Sequence, residues 1–573
     1  MKEQVIITLA IMLCLQMVSA AQPALEWAKS MGGDEDEQGT KLTHDALGNT
    51  YITGFFSDTT DFDPGNGVYN LVSVYGNDIF IQKLDAAGDL VWVKGIGSVG
   101  GDRGHAIALD SQGNIFVSGI YRNQADFDPD ASGVYNMSPV GVQDGFVLKL
   151  DNDGNFLWAK TFGGTQVDGC WGLGIDASDN VVVCGFFSSA TDFDPSPSAT
   201  FSLSPSGYTD IFVCKLTNDG NFIRACKMGG SNYDNAFGMT IDNSDNIITI
   251  GRFAGTCDFN PGGSVYNGIS AGGEDVFISK LDSACNFLWI KTIGSTGDDY
   301  STDVATDSFN NVYTTGYFVN TADFDPTLGG SNIHNITSAG AKDAFISKLD
   351  SNGAFVWAKT FGSTTDDGAM GIFVKPSGKL LCTGFFTGTV DFDPDNNVFN
   401  LTSSASSSDA FVMNLSSAGG LSYAFNFGDS GSDIGYDLFE NAAGEVICTG
   451  SYALTPDFDP DVSSFPMTSA GLNDMYVCKY NSSVMVGENE WASENNGFQV
   501  YPNPFTSQTT IAFRKEQKNS TISITDILGR EIKSILFTGK QLILEKEEMI
   551  SGVYFIMVAN ENNILINKKI VLQ

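Results

Sequence analysis

Short apolar runs alternate with short polar breaks along most of this chain, and the breaks carry turn chemistry. In "HAIALDSQGNIFVSGIY" two strand-length apolar stretches flank Asp110–Gly113, and in "DGFVLKLDNDGNFLWAK" two more flank Asp151–Gly154. Gly, Asn or Asp at the last turn position tolerates the positive φ that a tight hairpin needs; Cys285 is the one awkward occupant of that place. Each such unit therefore predicts a β-hairpin. Val, Ile, Thr and Phe fill the runs, and no long stripe of 3.6-residue period appears, so the chain predicts an all-β protein.

Acidic residues frame these hairpins at fixed spacing. A first series, Glu37, Asp102, Asp168, Asp234, Asp299, Asp367 and Asp433, precedes each first strand. A second opens an Asp-Phe-Asp-Pro motif at Asp61, Asp126, Asp192, Asp258, Asp323, Asp391 and Asp457, with Asn260 replacing the second Asp in one copy. A third, Asp78, Asp144, Asp210, Asp275, Asp343, Asp409 and Asp474, opens an Asp-x-aromatic run. First to second series is always 24 residues, and third to the next first is again 24, whereas second to third varies from 17 to 20. Each repeat of about 66 residues thus holds two hairpins of equal length and one elastic loop. Equal lengths return all three acids to one rim.

Calling the four strands of a repeat a, b, c and d, strand d carries Trp-x-Lys in most copies, at Trp27, Trp92, Trp158, Trp289 and Trp357. The first of these precedes any complete repeat, and the last repeat stops after strand c. The opening strand "LEWAK" is thus expected to complete the last sheet and close a ring of seven four-stranded sheets, a seven-bladed β-propeller spanning 21–480. These repeats resemble the bacterial β-propeller repeat family (SBBP-like) of exported proteins, which implies the fold and little about activity.

After a polar stretch at 481–497 the period ends, and 498–573 reads as a small β-sandwich. Its landmarks are Tyr501-Pro502-Asn503-Pro504, Gly529 in an Asp-x-x-Gly-Arg step, Gly552 and Tyr554 in Ser-Gly-x-Tyr, and Lys568-Lys569 near the end. In that order they resemble the C-terminal sorting domain of type IX secretion cargo. The resemblance implies the type IX machinery as partner, export across an outer membrane, removal of the tail, and often attachment of the body to surface lipopolysaccharide. Residues 1–20, with Lys2, a short apolar run and Val18-Ser19-Ala20, read as a secretory signal peptide, and no other segment is long and apolar enough to cross a bilayer.

Charge sharpens the picture. The formal net charge is −38, and it belongs to the repeats, which disfavours nucleic acid and anionic membranes as partners. Cys usage is scattered, which points to buried thiols rather than a disulfide framework, although Cys184 and Cys214 share a repeat and could pair. Three His at 44, 105 and 334 offer neither a nucleophile's base nor a zinc site.

Two readings of the acids stay open. A carboxylate at a loop entry accepts hydrogen bonds from free backbone N–H groups, with Pro129 ending strand b, Phe127 filling the gap between sheets, and Lys149 and Lys160 offsetting charge. Alternatively the acids bind Ca²⁺, with Asp102, Asp126, Asp128 and Asp144 as ligands in the second repeat. No cofactor is required. The expected function is a non-enzymatic, monomeric surface scaffold whose b–c loops bind a glycan or protein, with Tyr69, Tyr135, Phe201, Tyr266, His334, Phe399 and Phe465 as loop aromatics. A surface polysaccharide-degrading enzyme and a structural envelope component are the alternatives.

Overall fold

A computed structural model describes residues 23–481 except 131, 326–332, 396 and 461–463, and in the tail 498–501, 505, 507–526, 531–546, 549, 552–560 and 563–572. The expected signal peptide, almost all of the expected linker, and Pro502, Asn503, Pro504 and Gly529 lie outside the described residues. Among the described residues every named element is a strand, and none is a helix long and apolar enough to cross a membrane. The chain divides into two compact units, Met1–Val484 and Met485–Gln573.

The second repeat shows the plan. Strands a (Arg103–Leu109), b (Ile115–Tyr121), c (Asp144–Leu150) and d (Phe156–Phe162) pair antiparallel in that spatial order. The other repeats copy it, and the third and fourth join into one continuous sheet because Gly229 and Gly230 pair with Asp258 and Cys257. The last repeat has three strands of its own, Ile434–Glu440, Glu445–Ala453 and Asn473–Asn481. Its fourth is Ala24–Met31, which pairs antiparallel with Asn473–Asn481 and sets Trp27 opposite Lys479. Strand a of each repeat touches strand a of the next, and that of the last touches that of the first. The sheets of the first unit therefore stand in a closed ring with the a strands innermost.

Turn chemistry explains the hairpins. Asp110 Oδ1 accepts the N–H groups of Gln112 and Asn114 at 2.9 Å each, and Gly113 takes φ = +79°. Cys285 holds the same left-handed conformation (φ = +58°) in its turn, where a side chain is strained. Between sheets the motif phenylalanines are buried: Phe127 packs on Tyr121 and Phe146, and Phe193 also reaches Phe162 of the preceding repeat at 6.0 Å between centroids. The nine cysteines from Cys170 onward are free and buried, Cys184 and Cys214 among them.

The lysines of strand c correct one expectation. Lys149 does not offset the three acidic series; strand c carries it to the opposite rim, where it lies 3.4 Å from Asp110 of the a–b turn. Its Nζ and Trp158 Nε1 both donate to the Asn218 carbonyl of the next repeat's c–d turn, at 3.2 and 3.1 Å. Lys83 with Trp92 on Asn152, Lys280 with Trp289 on Ser351, and Lys348 with Trp357 on Ser417 repeat the arrangement. Lys479 reaches Ala86, across the point of closure. A buried cation and an indole thus tie each of these sheets to its neighbour. From strand d, Lys94 and Lys359 pair with Asp130 and Asp395 of the following repeat at 2.8 and 2.7 Å.

The tail is one five-stranded antiparallel sheet. Its long strand Gln508–Asp526 pairs with Phe498–Tyr501 near its start, with Gly552–Asn560 near its end and with Glu531–Glu545 along its length. Irregular pairing between Ala512 and Ser520 breaks the strand into two halves, and Ile511, Ile522, Ile524, Leu544, Tyr554, Ile556 and Ile570 form one core.

Lys280 and Asp242 provide a test of the tie. They meet at 2.7 Å with side-chain exposures of 3% and 0%. Removing one member of a buried pair strands the other charge, so Lys280→Ala is expected to cost about 3–5 kcal/mol in unfolding free energy. Lys280→Met combined with Asp242→Asn should recover most of that loss. Denaturant melts of the three variants check both values.

Candidate functional site

The first-series acids each sit where the chain crosses from one sheet to the next. Asp102 Oδ2 accepts Ser98 N at 2.5 Å, and Oδ1 accepts Arg122 N at 2.8 Å, just beyond strand b. Asp168, Asp299, Asp367 and Asp433 bind the equivalent pairs of N–H groups, and Glu37 and Asp234 accept Gly33 N and Gly230 N. The third series caps the turn entering strand c: Asp144 Oδ2 accepts Val140 N at 2.9 Å, and Asp78, Asp210, Asp275, Asp343, Asp409 and Asp474 do the same in their repeats. Gly163 faces that carboxylate so closely that a Cβ would fall 2.2 Å from its carbon. The second series organises the b–c loop: Asp126 Oδ1 accepts Asp128 N and Tyr135 N, as do Asp61, Asp192, Asp258, Asp323, Asp391 and Asp457 at their own positions.

The candidate metal ligands are thus used locally. Asp102, Asp126, Asp128 and Asp144 close different turns, and Asp128 itself accepts Asp130 N at 3.1 Å. Among the described residues no three His, Cys, Asp or Glu side chains gather as a metal site. Asp144 has its electrostatic neighbour in the next repeat, Asp168, just as Asp78 has Asp102 and Asp275 has Asp299.

These acid pairs are buried and pull protons. Burial lifts Glu37 to about 8, Asp78, Asp234, Asp275 and Asp433 to about 7, and Asp144, Asp367 and Asp474 to about 6, with the neighbouring carboxylate adding to the rise for Asp78 and Asp144. Asp102, Asp168, Asp299, Asp343 and Asp409 move the same way for the same first reason. The buried Oδ1 of Asp78, Asp144, Asp275 and Asp343 meets no hydrogen-bond partner among the described residues, whereas the other oxygen of Asp210 pairs with Lys227 at 2.8 Å. On the opposite rim, burial also opposes charge at Asp45, Asp110, Asp176 and Asp242. There the Asn partners, with Lys215 and Lys280 at two of them, overcome it and hold the carboxyls below their ordinary range.

The channel inside the ring departs from the repeat. Every a–b pair has a β-bulge at the same register, at Thr40, His105, Trp171, Phe237, Thr302, Met370 and Tyr436. A bulge re-aims a side chain, and all seven of these residues line a cavity of about 540 Å³. The next residue is Ala106, Gly172, Gly238 or Gly371 in four repeats and Lys41, Asp303 or Asp437 in three. Lys41 Nζ bridges to Asp303 at 2.7 Å and to Asp437 at 3.2 Å. Asp437 Oδ2 and Asp303 Oδ2 also accept Leu42 N and Ile372 N at 3.0 Å each. Burial raises Asp437 to about 6 against the pull of Lys41; burial also works against the Lys41 charge, but the two carboxylates together hold its ammonium above the ordinary range. Repeat spacing alone does not single out this trio. The signal was there, as charge where the repeat has Ala or Gly.

Loop aromatics divide. Tyr135, Phe201, Tyr266 and His334 stack on the first aromatic of strand d, Phe156, Phe222, Phe287 and Phe355, with centroids 4.6–5.0 Å apart. They brace the b–c loop against the outermost strand. Tyr208 and Tyr233 instead stack on each other at 4.9 Å, remain 63% and 50% exposed, and line a pocket with Asn235 and Arg252. Both immediately precede or closely approach rim acids, Asp210 and Asp234.

Two family models match parts of the chain. Residues 288–317 match the family described as Beta-propeller repeat, and residues 499–573 match that described as Secretion system C-terminal sorting domain. The chain therefore carries a propeller repeat and a type IX sorting tail, and is exported to the cell surface or outside. An uncharacterized WD repeat-containing protein of Acanthamoeba polyphaga mimivirus is 28% identical over 38% of this chain and 17% of its own length. The regulatory protein FlaEY of Caulobacter vibrioides is 24% identical over 69% of this chain and 41% of its own. The chain thus spans less than half the length of these two relatives. Similar solved structures include a protein of unknown function from Bacteroides caccae (TM-score 0.23, 10% identity, 50% of this chain and 91% of that one). Another is PorZ, a surface component of the type-IX secretion system of Porphyromonas gingivalis (TM-score 0.16, 10% identity, 95% and 100%).

The raised carboxyls set the pH dependence. Their folded-state pKa values exceed the unfolded value of about 4, so the native state holds protons that the unfolded chain has released. Their stabilising share is complete at low pH and is lost as pH rises through about 6 to 8. The lowered group on the other rim acts in reverse and loses its share below about 4. The melting temperature is expected to be several degrees higher at pH 5 than at pH 8, by scanning calorimetry. Asp78→Asn, which keeps an acceptor for Val74 N, should flatten part of that slope.

Proposed function

We propose that the first unit is a seven-bladed β-propeller, residues 21–480, that works as a non-enzymatic glycan-binding scaffold at the cell surface, a monomer carried there by the sandwich-like tail, residues 498–573. The observation that carries this reading is the division of labour on the rim. The recurring acids are spent on backbone N–H groups, while the exposed Tyr208–Tyr233 stack stands on the same rim with no packing duty visible in other repeats. Stacked, exposed tyrosines next to a pocket suit the apolar face of a sugar ring. The tail's Tyr501 is half exposed and Tyr554 is buried in its sheet, so the sorting landmarks split between surface and core.

A polysaccharide-degrading activity has one feature in its favour: Asp437, raised to about 6, beside a second carboxylate in a cavity. Against it, Lys41 occupies both acids. A purified sample screened on a glycan panel for retention and for product release separates the readings. Retention without release is expected, with Tyr208→Ala weakening it. Release that Asp437→Asn abolishes would replace the scaffold with an enzyme, and neither effect would leave an envelope component.

In this reading the rim carboxylates hold protons and backbone donors rather than Ca²⁺. A calcium chelator is therefore expected to leave the melting temperature unchanged within about 1 °C. A drop of several degrees would restore the metal.

A further inference from the structure

The first unit contains four arginines, Arg103, Arg122, Arg224 and Arg252, against some sixty acids. Two of them stand side by side. Arg103 opens strand a of the second repeat and Arg122 follows its strand b, at positions that other repeats fill with uncharged residues such as Gln38, Asn235, Ser57 and Ser188. Partial desolvation of the guanidinium and then the like charge of Arg122 depress Arg103, although the residue as a whole is exposed. Arg252 has a partner in Glu274 at 2.7 Å, whereas among the described residues neither Arg103 nor Arg122 forms an ion pair.

Their orientation is nonetheless fixed, and by neutral groups. The Arg103 guanidinium lies over the Phe55 ring at 4.4 Å. Arg122 Nε donates to Gln143 Oε1 at 3.2 Å, and Gln143 Nε2 is itself anchored on the Asp168 carbonyl at 3.1 Å. A cavity of about 420 Å³ opens between them, lined by both arginines, Gln143, Asn77, His105 and Trp171. It shares His105 and Trp171 with the central cavity, so it is the mouth of the channel. The two rings stack at 3.8 Å and 16°, and Trp171 Nε1 is buried without a partner among the described residues. His105 Nδ1 lies 3.1 Å from the Cys170 carbonyl, which can only accept; Nδ1 therefore carries the hydrogen, and Nε2 keeps its lone pair.

We propose that Arg103 and Arg122 form an anion subsite at the channel mouth that takes the carboxylate or sulfate of an acidic sugar unit, with the His105–Trp171 stack beside its ring. Paired guanidiniums match the two oxygens of such a group, and the ring nitrogens supply one donor and one acceptor for hydroxyls. The inference deepens the glycan-binding reading above and rests on it. A free carboxylate or sulfate of the same charge shares this chemistry, so the test includes both forms.

Titration calorimetry of the full chain would use oligogalacturonate, a sulfated galactan oligosaccharide, a neutral galacto-oligosaccharide, and free acetate and sulfate. The acidic oligosaccharides are expected to bind at least about tenfold more tightly than the neutral one and than the free ions, and more weakly at high salt. Arg103→Gln and Arg122→Gln should each cost about tenfold, with melting temperatures unchanged because both side chains are exposed. Equal affinity for acidic and neutral oligosaccharides, free ions binding as tightly as acidic oligosaccharides, or wild-type affinity in the double variant, would overturn the subsite while leaving glycan binding intact. No binding of any oligosaccharide would overturn both.

Discussion

Backbone N–H groups at the crossings between sheets decide what this molecule can be. A ring of separate sheets sends its chain from strand d to the next strand a through a short crossing where the neighbouring strand supplies acceptors to some N–H groups, as Asn77 O does for Asp102 N, but not to all. Orphaned donors there are costly. One carboxylate per crossing meets that demand at two points: Asp102 holds Ser98 N on one side and Arg122 N on the other. The third series does the same for the turn into strand c. Because both acids crowd the same interface, each crossing brings a carboxyl against a carboxyl, and the protons they retain are a consequence of the capping.

The two rims solve one problem with different chemistry. On the capping rim the acids face each other, and burial pushes most of them toward holding protons, with Lys227 on Asp210 at 2.8 Å as an exception. On the opposite rim the a–b turn acids face lysines such as Lys215 and Lys280 at 2.7 Å, and their charge is managed with cations. The lysine and the indole of the adjacent strand then share one carbonyl of the next repeat, so the same side chains that neutralise a turn also join the sheets. At the closure of the ring the lysine alone makes the reach, with Lys479 on the Ala86 carbonyl, while Trp27 Nε1 meets no partner among the described residues.

Period made much of this legible. Hairpin turns, the capping acids and the return of Trp27 to the last sheet all follow from spacing, since strand length converts residue counts into a rim. Partnering did not follow. The 24-residue step is the same within a repeat and between repeats, so nothing in it distinguishes Asp102 as a neighbour of Asp126 from Asp102 as a neighbour of Asp78; packing between sheets makes the second choice. Lys149 offsets a turn acid rather than the three series because strand c ends on the opposite rim, beside Asp110. The Lys41–Asp303 bridge spans 262 positions and exists only because the ring closes. The brace of Tyr135 on Phe156 likewise depends on a loop folding back along the outer strand.

A repeated fold also contains its own control. Whatever the scaffold requires is supplied several times over, by Gly at the close approach to Asp144, by Asp at the crossings, by Phe between the sheets. A residue that departs from its equivalents at a physical cost is therefore not accounted for by the scaffold. The Lys41 trio departs, but its charges compensate one another and its oxygens cap Leu42 and Ile372, so it is explained as a channel brace. Arg103 and Arg122 depart without an ion pair among the described residues, although the Asp102 carboxylate attracts Arg122. In a chain of net charge −38 it is Phe55 and Gln143 that hold them in place, and Asp102 spends its oxygens on Ser98 and the Arg122 N–H. Such an arrangement gains from an anion that arrives from outside, and this asymmetry is what marks the channel mouth as a site rather than as one more joint in the ring.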